Sequence, residues 1–152
     1  MKLIVLRGKK FAGKTKTLTV LYRLLKYVYA AEPFNYTDLG GEHNDFRVTL
    51  LIDPHKICHQ FAVSKVKVGI ITQGDYVRTE HAVDKLLQAM LEDGCDVTIC
   101  ACSCKTRQKK KPIDSIKDFL HNQGIDKDIE ISCQDSLRDK VIEILSALVN
   151  ML

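Results

Sequence analysis

The chain has 152 residues, with 23 Lys and Arg against 19 Asp and Glu for a net charge of +4, and 45% of its residues are apolar. This fits a single soluble domain over 1–152 whose core needs no disulfides, and apolar runs no longer than a strand exclude a membrane-spanning helix. The mild positive charge permits phosphate-bearing partners without demanding nucleic acid.

Met1 to Leu6 meets Arg7 too soon for a signal peptide, and the six Cys read as thiols, so a cytoplasmic chain is expected. Lys2 to Leu6 is a β-branched and aliphatic run. A glycine loop follows it, and Leu18, Leu21, Leu25 and Val28 then recur at helical spacing, which predicts strand, loop and helix. Pro33 ends that helix near residues 30–32. Residues 34–46 are polar, carry Gly40-Gly41 and predict a substrate-facing loop. Val48 to Ile52 predicts a second strand, Asp53-Pro54 a turn, and residues 56–63 a short antiparallel return.

Val66 to Thr72 predicts another strand and Gln73-Gly74-Asp75 a loop. Thr79 then caps a helix that turns Val83, Leu86, Leu87, Met90 and Leu91 inward and stops at Gly94. Asp96 to Ala101 repeats the pattern as a strand, followed by a basic loop and a helix on Ile113, Ile116, Phe119 and Leu120. Ile129 to Cys133 and a Ser136-capped helix with Leu137, Val141, Ile144, Leu145 and Leu148 on one face complete the chain. The alternation predicts an α/β fold: a three-layer sandwich of a mainly parallel five-stranded sheet with helices on both faces.

Between the first strand and helix, Gly8-Lys9-Lys10-Phe11-Ala12-Gly13-Lys14-Thr15 matches G-x-x-x-x-G-K-[ST] at every fixed position. Backbone amides from such a loop and from the open helix N-terminus point at one concavity, where the positive end of the helix dipole favours an anion. Lys14 would reach the β- and γ-phosphates, Thr15 would offer its hydroxyl to Mg²⁺, and Lys16 follows on the first turn. Gly8 and Gly13 would permit the close backbone approach.

At these residues the chain resembles the P-loop NTPase superfamily, on its small nucleotide-kinase and GTPase side. The order of elements agrees across most of the chain, while the specific part is the eight residues of the loop. The resemblance implies a nucleoside triphosphate and Mg²⁺ at residues 8–16, with hydrolysis or a switch function, and a carboxylate at a strand end beside the metal. Asp75 is favoured for it over Asp53, because the strand before Asp75 reads as the buried neighbour of the first strand and Asp53-Pro54 reads as a turn. Gln73 would orient a water.

Lys105, Arg107, Lys109, Lys110 and Lys111 crowd the loop after the strand ending near Cys102. The resemblance makes Arg107 the lid residue that neutralises the transferred phosphate. ATP is favoured over GTP because the guanine signature N-K-x-D is missing, and Cys133-Gln134-Asp135 lie where resembled folds seat the base. Cys100, Cys102 and Cys104 alternate as a soft-metal face would, but without a matching Cys/His set they read as small hydrophobes. The five His form no catalytic set with Ser or Cys.

Three functions compete: a nucleotide-binding hydrolase or switch; a small phosphotransferase with an acceptor at 34–46; and a nucleic-acid-associated protein using the basic loop 105–111. Lys16 in place of a second Ser or Thr, bulky Phe11, and a short lid with one arginine count against the second.

Overall fold

The computed structural model describes the chain apart from residues 42, 60–63, 76–79, 105–110 and 122–123. Six strands form one mixed sheet: β1 (Lys2–Gly8), β2 (Glu32–Gly40), β3 (Asp45–Ile52), β4 (Val66–Ile71), β5 (Val97–Ser103) and β6 (Lys127–Glu130). Among the described residues four α-helices accompany them: α1 (Lys14–Arg23), α2 (Val83–Glu92), α3 (Pro112–Phe119) and α4 (Leu137–Val149). No helix among the described residues is long and apolar enough to cross a membrane.

The strands lie in the order β2-β3-β4-β5-β1-β6. β4, β5, β1 and β6 run parallel, whereas β3 is antiparallel to both β2 and β4. The sheet is therefore mixed, parallel in three of its five pairings, and has six strands where five were expected. The difference comes from residues 32–40, which pair along β3 as an edge strand where a loop was expected. Most of β2 is exposed and Pro33 stands at its start, so the segment lacks the alternation that marks a half-buried strand. Of the antiparallel return expected over 56–63, the described residues 56–59 form no strand, residues 54–56 making a short 3₁₀ turn, and 60–63 lie outside the described residues.

Side chains alternate along the central strands and supply two cores. Ile4 and Leu6 of β1 pack with Leu18 and Leu21 of α1 and Val141 and Ile144 of α4. Leu3 and Val5 point the other way, to Leu87 and Met90 of α2 and Ile116 of α3. Helices thus cover both faces. Buried on both sides, β5 holds Cys100 and Cys102 as small apolar side chains.

Two helix positions depart from their predicted facing. α1 passes into a π-helical turn over Leu24–Val28; the widened turn keeps Leu25 buried but rotates Val28 outward, to 66% exposed. Leu91 stands at the edge of the α2 stripe and is 47% exposed. Thr79, expected to cap α2, lies outside the described residues, whereas Ser136 caps α4 as expected by accepting from Asp139 N at 3.1 Å.

The hairpin β2–β3 is clamped from both sides. On the α1 side Tyr36 stacks on Phe46, with ring centroids 5.4 Å apart, and Tyr22 of α1 lies 5.3 Å from Phe46. On the α2 side the Asp93 carboxylate accepts from Asn35 Nδ2 and Thr49 Oγ1, both at 2.8 Å. These contacts fix the hairpin tip over the carboxyl ends of the parallel strands.

Candidate functional site

Three pieces of backbone meet at the carboxyl edge of the parallel strands: the 8–15 loop after β1, the 72–75 segment after β4, and the start of β3. The loop is held by backbone geometry. Gly13 has φ +86°, and a Cβ on Gly8 would lie 2.9 Å from the Ile131 carbonyl oxygen. Phe11 sits at φ +65°, a left-handed conformation that costs a non-glycine residue roughly 1–2 kcal/mol, and its ring is 73% exposed. The first intrahelical bond at this end of α1 runs from Thr17 N to Gly13 O at 2.9 Å, which leaves the amides ahead of it without a helical partner.

Lys14 is buried at 8% exposure and folds back on its own loop, donating to the carbonyls of Gly8 at 3.1 Å and Lys9 at 2.9 Å. Burial pushes its ammonium below the usual lysine range, and the Asp75 carboxylate works against that shift. A second lysine enters from α4: Lys140, 6% exposed, donates to the Ala12 carbonyl at 3.0 Å. Two buried ammonium groups are therefore fastened to one eight-residue loop.

Thr15 Oγ1 donates to Asp45 Oδ1 at 3.0 Å, and Thr72 Oγ1 donates to the same oxygen at 3.0 Å. Phe46 N in turn donates to Thr72 Oγ1 at 2.8 Å, so the hydroxyl is locked between strands β3 and β4. Asp45 went unseen in the sequence for a directional reason. In a parallel sheet the site carboxylate stands at the carboxyl end of a strand, but β3 is antiparallel, and its amino end lies at the site. Arg47 pairs with Ile71 at the end of β4, and Ile52 with Val66 at its start.

The same reversal carries Asp53 to the opposite edge, where its Oδ1 accepts from His55 N at 3.1 Å and caps the 3₁₀ turn. The alternative carboxylate is thus not at this site.

Asp75 is at the site, lining the same cleft, with Oδ1 buried and without a hydrogen-bond partner. The ground for choosing it does not hold, however, because β5 and not β4 lies beside β1. Gly74 brings the segment in: a Cβ there would lie 2.0 Å from the Ala101 carbonyl oxygen, and Ser103 N donates to Gly74 O at 3.1 Å. Gln73 is buried, and it is not among the residues that line the cleft.

The cleft has a volume of about 390 Å³ and runs from the loop along α1, past Lys16, Thr19, Val20 and Arg23, with Lys10, Phe11, His43 and Asp45 on its rim. The His43 and Phe11 rings meet edge to face, 6.2 Å apart. A second cleft of about 540 Å³ lies across Lys9–Ala12 from the first, between the loop and residues 130–135. There Asp135 Oδ2 accepts from Ser132 N at 2.5 Å. Arg107, like Lys105, Lys109 and Lys110, falls outside the described residues; Lys111 is exposed just before α3. Among the described residues no group of three or more His, Cys, Asp or Glu is placed to hold a metal ion.

Compared with family models, curated proteins and solved structures, the chain matches none.

Proposed function

We propose that the chain binds a nucleoside triphosphate with Mg²⁺, its phosphates cradled by Gly8, Lys9, Lys10, Phe11, Ala12, Gly13, Lys14, Thr15 and Lys16. One observation carries the reading. The Thr15 hydroxyl meets the Asp45 carboxylate at 3.0 Å, directly at the open N-terminus of α1 and one residue from a buried lysine. A hydroxyl and a carboxylate are hard oxygen donors of the kind Mg²⁺ takes in small number while keeping water and phosphate as its other ligands. Thr15 and Asp45 would hold the ion, with Asp75 near them; bound there, it would screen the charge of the terminal phosphates.

Lys14 then exchanges its two loop carbonyls for phosphate oxygens, which relieves the cost of its burial. The base occupies the second cleft, against Ser132 to Asp135. The chain lacks the guanine signature N-K-x-D, which favours ATP over GTP.

Calorimetry with Mg²⁺ and ATP tests this. Wild type should bind, and Lys14→Ala should lower affinity at least a hundredfold with the fold intact by circular dichroism. Unchanged affinity in that variant would end the proposal.

A further inference from the structure

The cleft beside α1 continues past the phosphate cradle along the helix, as far as Arg23. Lys16, Thr19, Val20 and Arg23 form a stripe at i, i+3, i+4 and i+7 on the helix that starts at the phosphate cradle. At 1.5 Å rise per residue, Arg23 stands about 12 Å along the axis from Thr15, a span that fits a small molecule lying end to end. Opposite the stripe stand His43 and Asp45 of the clamped hairpin, and Thr72, Gly74 and Asp75 form the inner end.

The polarity of this passage is graded. Among the described lining residues, the carboxylates are Asp45 and Asp75, at the cradle end, where Thr15 and Lys14 attend them. Toward the far end the charges are cations, and among the described residues no carboxylate lies within ion-pair distance of Lys16 or Arg23. A guanidinium is a planar fork that matches carboxylate and phosphate oxygens, and Val20 beside it offers an apolar surface to a carbon skeleton.

We infer that this passage seats a second, small organic molecule whose carboxylate or phosphate group is held by Arg23, so that the bound nucleotide faces an acceptor. The inference rests on the nucleotide reading above and deepens it from binding to phosphoryl transfer. In that transfer an acceptor oxygen bonds to the γ-phosphorus as the bond from that phosphorus to the β–γ bridging oxygen breaks. The nucleoside diphosphate leaves with the electron pair, and the acceptor's proton passes to the Asp75 carboxylate.

The test uses the full chain loaded with Mg²⁺ and the non-hydrolysable analogue AMP-PNP, whose binding is first measured by calorimetry. Two panels are then titrated: phosphate monoesters (glycerol 3-phosphate, ribose 5-phosphate, nucleoside monophosphates) and hydroxycarboxylates (glycerate, malate, pantoate). The expected result is binding of a member of one panel, weakened at least tenfold by Arg23→Gln while AMP-PNP affinity moves less than twofold. The panel that responds identifies the anionic group. If AMP-PNP binds but neither panel does, or if the second ligand ignores Arg23→Gln, the acceptor site is refuted and the nucleotide reading stands. If AMP-PNP itself does not bind, both fall.

Discussion

Lys14 shows how one side chain carries a cost that a ligand removes. Its ammonium is buried, and the folded-state pKa lies below the 10.5 of an unfolded chain. Between those two values the unfolded chain holds a proton that the folded one has lost, so stability rises with pH across that window. Nucleotide binding runs the other way, because phosphate oxygens favour the charged lysine. Affinity for Mg²⁺ and ATP should fall as pH rises through the window toward 10.5. Calorimetry in buffers of different ionisation enthalpy should show proton uptake on binding there, absent in Lys14→Met. Pure release, or no exchange, would separate Lys14 from the phosphates. Asp45 makes a second prediction at this scale. Asp45→Asn keeps an acceptor for Thr15 but removes the charge that a divalent ion requires. It should raise the Mg²⁺ concentration needed for nucleotide binding on the order of tenfold to a hundredfold. Asp53→Asn, at the far edge of the sheet, should not alter it.

Elements explain why the site was legible in part. The 8–15 loop announces itself because every fixed position of its pattern answers to backbone geometry or a phosphate contact, and its flanking strand and helix carry clear periodicities. The hairpin does not. Its outer strand β2 is exposed on most positions, has Pro33 as its second residue and buries only Leu39, so Glu32–Gly40 carries no alternating pattern. Without β2, β3 reads as one more parallel strand, so the carboxylate it offers beside the favoured Asp75 is Asp53 at its end, and Asp45 at its start is passed over. Lys140 was equally hidden, since a lysine on a helix reads as solvated until the helix is known to pack under the loop. Gly74 belongs to the same scale: it lets the segment after β4 lie against β5. A Cβ there meets backbone, which cannot swing aside as a side chain would. Gly74→Ala should cost roughly 2–3 kcal/mol, a fall in Tm of about 4–12 °C, and should weaken nucleotide binding by displacing Asp75. Gly124→Ala meets nothing within 4 Å and serves as the neutral comparison. A Gly74→Ala protein with unchanged Tm would show that the segment does not depend on that approach.

At the scale of the whole molecule, the six cysteines report separately on local and global events. Cys133 is exposed beside the second cleft, while Cys95, Cys100 and Cys102 are buried in the core beneath α2 and α3. Burial pushes the Cys102 thiol up to about 12, so neither access nor thiolate is present in the folded chain. These three should react with a maleimide only through global unfolding, whereas the exposed Cys133 should react in the folded chain. Nucleotide that binds the folded chain alone stabilises it by RT ln(1 + [L]/Kd), about 2.7 kcal/mol at a hundredfold excess over Kd. Labelling of the buried three should then slow about a hundredfold, because their reactive population is the unfolded one. Cys133 should slow only as far as the base covers it, and by the same factor in native and partly denaturing buffer. Mass spectrometry of time-quenched samples reads both sets at once. Protection of Cys133 with unchanged labelling of the core cysteines would mean that nucleotide touches the surface without stabilising the fold. Protection of the core alone would move the base away from residues 132–135.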